Sequence, residues 1–193
     1  VKEHPILFSG PMVRAILAGN KTQTRRVVKP QPPIQCKFPQ IKNDIVTWSV
    51  DSPGNFPMWD KHSKCPYGQP GDRLWVRESF YTDSDKSHVL SYSAGYDIQR
   101  RNQAYILKPS IHMPRRASRI TLEITDILVE RVQDIPAMDC IAEGIERSAI
   151  KDIHDAAQFE IGEYHKLWDS INAKRGYGWD VNPWVWVVEF KRV

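Results

Sequence analysis

The segment Gly19-Asn20-Lys21-Thr22-Gln23-Thr24-Arg25-Arg26 gathers a lysine, two threonine hydroxyls and two arginines immediately after a glycine. A threonine hydroxyl is a weak nucleophile until a neighbouring base takes its proton, and a partly desolvated lysine can be that base. Lys21 and Thr24 are separated by an odd number of residues, which in a regular strand sends side chains to opposite faces. A turn or bulge after Gly19 would bring them together. The same cations can equally form an ordinary solvated face.

The elements that must position this segment are readable on both sides of it. Ile6-Leu7-Phe8 reads as a short strand. A compact helix follows, capped by Ser9 or Gly10, with Pro11 in its first turn and Met12, Ala15 and Ile16 on one face. Gly19 suits a left-handed terminator, and Val27-Val28 looks like the start of another strand. Eight of the fourteen prolines fall in residues 30–70, where little periodicity survives. That stretch reads as a long loop or insertion pinned to the body by Trp48, Phe56 and Trp59, ordered rather than a tether.

After Gly68-Gln69-Pro70-Gly71-Asp72, Leu74-Trp75-Val76 reads as a strand, and Ser93-Ala94-Gly95 marks a hairpin. Ile120, Leu122 and Ile124 alternate with polar residues in a strand running toward Val132, with a bulge at Asp126. Residues 136–143 form a short helix with Asp134 as cap and Gly144 as terminator. Ala157, Ile161, Tyr164, Trp168 and Ile171 make a helical stripe, and residues 184–190 a closing strand rich in β-branched and aromatic side chains. The pattern is α+β: a small mixed β-barrel or curled sheet with helices over its openings, in one domain spanning residues 1–193.

Composition narrows the function classes. With 193 residues, 41% hydrophobic and seven Trp, the chain has material for a packed core and is not a disordered polymer. The longest uncharged stretch, residues 5–13, is far short of the ~20 apolar residues that span a bilayer. No membrane association and a cytoplasmic location are therefore expected. A net charge of +4 permits a nucleic-acid partner without requiring one. Cys36, Cys65 and Cys140 are an odd, scattered set that argues against a disulfide framework. His62-x-x-Cys65 with Cys36 falls short of regular zinc spacing, so no metal is expected. A P-loop, a dinucleotide fingerprint and a Gly-x-Ser-x-Gly elbow are all absent from the sequence, so no cofactor is expected either.

Gly19-x-Lys21-x-x-x-x-Arg26 resembles the G-x-K-x-x-x-x-R signature of the ASCH family, a branch of the PUA-like β-barrel superfamily. The resemblance extends to the Ile16-Leu17-Ala18-Gly19 helix end, the Gly71-Asp72-x-Leu74 strand entry and the terminal Val187-Val188-Glu189-Phe190 strand. Residues 30–66 and 79–110 exceed a minimal member. Proteins opening with a Pro-Ile-Leu-Phe-Ser-x-Pro-Met-Val-Arg run are commonly encoded by phages and prophages.

The resemblance implies a cleft for RNA or a modified nucleoside. One branch of the family hydrolyses N4-acetylcytidine with a Lys, a Thr and a Glu; another is a ribonuclease relying on the motif Lys. Lys21 and Thr24 match the first two, and Glu143 is the best match for the third, with Glu78 as rival carboxylate. Lys21 would deprotonate Thr24, Thr24 would attack the acetamide carbonyl, and Glu143 would protonate the leaving amine. Arg25 and Arg26 would orient the site or meet a phosphate.

Arg115 and Arg116, with Arg100, Arg101, Arg119 and the rings of Tyr96, Tyr105 and Trp179, could add a salt-sensitive groove for single-stranded nucleic acid. The alternatives are a non-catalytic RNA-binding module and a phage accessory protein that binds a host protein. On the hydrolase reading, Thr24→Ala and Lys21→Ala should each abolish turnover with little change in thermal midpoint. Oligomeric state is open.

Overall fold

Pro11 in the first turn and the buried pair Val13 and Ile16 make residues 10–17 a one-faced helix directly after the first strand. The computed structural model describes residues 1–33, 36–42, 45–49, 58–83, 89–94 and 106–193, with side chains at all of these except 58–62 and 89–90. In chain order the elements are β1 (Glu3–Leu7), α1 (Gly10–Leu17), β2 (Gln23–Val27), β3 (Phe38–Lys42), β4 (Ile45–Ser49), β5 (Met58–Lys64) and β6 (Arg73–Arg77). They continue with β7 (Phe80–Thr82), β8 (Val89–Tyr92), β9 (Ile106–Lys108), β10 (Thr121–Arg131), α2 (Ala137–Ala142), α3 (Ile153–Asn172) and β11 (Trp184–Arg192). The protein is a sheet-dominated α+β fold.

A five-stranded sheet in the order β1-β6-β10-β11-β2 carries the body, with β1 parallel to β6 and the remaining pairs antiparallel. The expected bulge in β10 is present, as a register shift between Ile124 and Asp126. Strand β11 is apolar at nearly every position because both of its faces are covered. Trp184, Trp186, Val188 and Phe190 join the core beneath α1, whereas Val185 and Val187 meet Tyr164 and Trp168 of α3. The stripe read on α3 is therefore a core stripe.

Three stretches differ from their sequence expectation. Strand β2 begins at Gln23 rather than at Val27, so Thr24, Arg25 and Arg26 lie within a strand and only Lys21 precedes it. Residues 30–70 are not a featureless loop: β3, β4 and β5 form an antiparallel meander. Trp48 fixes it to the body, 1% exposed, with its ring edge-on to Trp184 at 4.8 Å. Strand β7 pairs with both β8 and β9, and Gly95 of the expected 93–95 hairpin lies outside the described residues. Pro136, not Asp134, occupies the cap position of α2.

Phe56, Tyr96, Arg100, Arg101 and Tyr105, and the side chains of Trp59 and His62, lie outside the described residues. Among the described residues no helix is long and apolar enough to cross a membrane.

Candidate active site

Lys21 is held by its backbone before its side chain does anything. Gly19 adopts φ +80° and ends α1, after which the amides of Asn20 and Lys21 both donate to Ala15 O, at 2.9 and 3.1 Å. The Thr22 amide donates to Ala142 O at 2.8 Å, and Thr22 O accepts from the Phe190 amide at 2.8 Å. The segment is thus tied to α1, α2 and β11 at once. Gly144, at φ +98°, lets α2 approach this closely, since a Cβ there would lie 3.1 Å from Ala15 Cβ and 3.5 Å from Lys21 Cβ.

That approach sets Glu143, the last residue before Gly144, against Lys21. The Lys21 ammonium donates to Glu143 Oε2, Glu143 O and Gln23 O, each at 2.7 Å. The two side chains are 0% and 4% exposed. Burial pulls the Lys21 pKa below its ordinary value, opposed by the Glu143 charge and hydrogen bond.

Thr24 is buried in β2 opposite Val188 and shares a face with Arg26, two residues on. Lys21 Nζ and Arg26 Cζ lie 5.5 and 5.4 Å from the centre of the Phe8 ring. None of the three Lys21 hydrogen bonds goes to Thr24, and the lysine head lies against Glu143, whose other oxygen is 3.5 Å from Arg25.

Arg25 points to the opposite face. Its guanidinium donates to Glu130 and Asp139, both at 2.6 Å, and stands 3.5 Å from Glu143 Oε1. Burial works against its charge, but Glu143, Glu130 and the Asp139 hydrogen bond outweigh this and hold it protonated. Burial also raises the Glu130 pKa, partly offset by Arg25. An arginine with no exposed side chain and three carboxylates around it has little left for a phosphate. Arg25, expected as a substrate contact, is thus engaged by these carboxylates while also lining the cleft described below.

Arg26 donates to Leu7 O at 2.7 Å, bridging the two edge strands β2 and β1. Glu78 is buried and accepts from two nitrogens of Arg119, at 2.8 and 3.1 Å. Arg115 forms a bidentate pair with Glu3, at 2.7 and 2.9 Å, at the start of β1. Leu7, which meets Arg26, is four residues along the same strand, roughly 13 Å away. Arg115 and its exposed neighbour Arg116 are thus not brought to the Lys21 site. Trp179, expected as a stacking platform, is stacked on His165 at 4.8 Å.

Thr24 and Glu143 line a cleft of about 400 Å³ between β2 and α3, within the ~300–1,000 Å³ of small-molecule sites. Tyr164 and Trp168 line its buried part, Tyr67 and Tyr177 are half-buried, and Lys29 and Arg175 stand at its exposed end. These residues were not singled out as a site from the sequence. Tyr164 and Trp168 belong to a stripe that reads as core, and Lys29 and Arg175 are isolated cations far apart in the chain. Among the described residues no group of three His, Cys, Asp or Glu could hold a metal ion. No family model, curated protein or solved structure matches the chain.

Proposed function

We propose that the protein is a PUA-like domain of the ASCH type and a hydrolase acting on a modified nucleoside or RNA, with an N-acylated cytidine as the best-fitting substrate. The observation that carries this reading is the buried Lys21–Glu143 contact of 2.7 Å, with Glu143 and Thr24 both lining one aromatic cleft. The motif at Lys21 and Arg26 supports the family, as does the Arg26 bridge between the edge strands of a mixed sheet.

The adjacent amine and carboxyl give each residue its step. In the neutral form of the pair, the Lys21 amine takes the Thr24 proton as Thr24 Oγ1 bonds to the acyl carbon. The C–N bond breaks as Glu143 protonates the departing amine, leaving an acyl ester on Thr24 and the pair ionised. Glu143 then takes a proton from water, whose oxygen attacks the ester. Carboxylate product leaves, and Thr24 recovers its proton from Lys21. Arg25 keeps the Glu143 carboxylate in place throughout.

A second reading has its own observation. The three Lys21 hydrogen bonds go to Glu143 and Gln23, and catalysis requires one of them to be given up when substrate binds. A recognition pocket for unpaired bases needs no such exchange. Incubation with N4-acetylcytidine, acetylated RNA and unmodified RNA, read by mass spectrometry, separates the two. Release of acetate supports the hydrolase, and binding without turnover of any substrate replaces it with recognition.

A further inference from the structure

The cleft is polarised along its length. At its buried end Glu143 Oε1 is sealed from solvent and has no hydrogen-bond partner, with Arg25 Nη1 3.5 Å away. A ligand N–H donor would satisfy this buried acceptor. Trp168, Tyr67 and Tyr177 also line the cleft, rings of the kind that stack on a planar base. At the exposed end are Lys29 and Arg175, neither of which has an ion-pair partner among the described residues. The Lys29 ammonium lies 5.3 Å from the centre of the Tyr177 ring, so the ring holds a cation at the mouth. Among the described residues lining the cleft Glu143 is the only carboxylate, and Lys21 already answers its charge.

Given the nucleoside reading above, on which this rests, we infer that the cleft takes a nucleotide rather than a free nucleoside. An exocyclic amine donates to Glu143 Oε1, the base lies among the aromatic rings, and the phosphate meets Lys29 and Arg175. A planar guanidinium beside an ammonium is suited to a phosphate, and a neutral ribose would leave both cations unused. The amine requirement selects cytosine-type over uracil-type bases, because uracil presents a carbonyl to the carboxylate oxygen.

Calorimetric titration of the full chain with cytidine, cytidine monophosphate, uridine monophosphate and a short single-stranded oligocytidylate tests this. Cytidine monophosphate should bind at least about tenfold tighter than cytidine, with the gap closing at high salt. Lys29→Ala with Arg175→Ala should bring its affinity down toward that of cytidine. Uridine monophosphate should bind more weakly than cytidine monophosphate. Tight binding of the oligomer would identify RNA as the source of the phosphate, and loss of binding in the oligomer would identify a free nucleotide. Equal affinity for cytidine and its monophosphate would overturn the phosphate site and leave the nucleoside reading standing. Failure of every base-containing ligand to bind would overturn that reading itself.

Discussion

Replacing Lys21 with methionine keeps the length of the side chain and removes its charge and all three hydrogen bonds. Glu143 and Gln23 O then lose their donor in a place water does not reach. Breaking a buried ion pair by deleting one partner costs about 3–5 kcal/mol. Arg25, 3.5 Å from the other Glu143 oxygen, absorbs part of the stranded charge, so the lower end, about 3 kcal/mol, is expected. At about 2–4 °C per kcal/mol for a chain of this size, the midpoint should fall by roughly 6–12 °C.

This revises the expectation that Lys21 can be removed without thermal cost. Circular dichroism melts of Lys21→Met, Glu143→Leu and the double variant form a cycle, and the double should be less destabilised than the sum of the singles by about 0.5–3 kcal/mol. The pH dependence has a definite sign. The folded Lys21 pKa lies below 10.5, so in the window between them the unfolded chain binds more protons, and wild-type stability rises with pH. The methionine variant should lack that contribution. A midpoint within about 2 °C of wild type, or strictly additive singles, would refute the coupling on which the site is built.

Trp48→Ala should cost about 3–5 kcal/mol by emptying the contact with Trp184, and should open residues 36–64 to limited proteolysis; unchanged resistance would show that the meander is held some other way. Gly144→Ala should destabilise by about 1–3 kcal/mol through its positive φ and the 3.1 Å approach to Ala15 Cβ, measured by urea denaturation. A neutral result there would mean that α2 can shift away from Lys21. Asp72 accepts from the Lys2 amide, which holds its pKa below 3.8 with burial working the other way. The stability it contributes is present above the unfolded value and lost as pH falls through the folded one. Asp72→Asn should flatten that acid limb, and an unaltered acid profile would exclude this contribution.

Strand β10 with its bulge, the α3 stripe and β11 were legible because each is long and carries a clear period. The meander was not. Its strands are five to seven residues long, Pro39 sits inside β3, and what orders Trp48 is a tryptophan far away in the chain. Reading the strand from Val27 instead of Gln23 concealed the division of labour between the two arginines. Extending β2 back to Gln23 places Arg25 and Arg26 on opposite faces by the pleat alone, one toward Glu130 and Asp139 and the other toward Phe8 and Leu7. Lys21 and Thr24 came from a motif, but the pairing of Lys21 with Glu143 spans 122 residues and depends on the close approach at Gly144, which no local pattern encodes.

The central claim is that Thr24 carries the acyl group between the two halves of the reaction. Rapid quenching of the protein mixed with N4-acetylcytidine, followed by mass analysis of the intact protein and peptide mapping of its digest, tests it most directly. The expected result is one acetyl group on the peptide containing Thr24, absent in Thr24→Ala and persisting longer in Glu143→Gln, where water activation is lost. Acetate released at the wild-type rate by Thr24→Ala, or an acetyl group on another residue of a turning-over enzyme, would contradict the account.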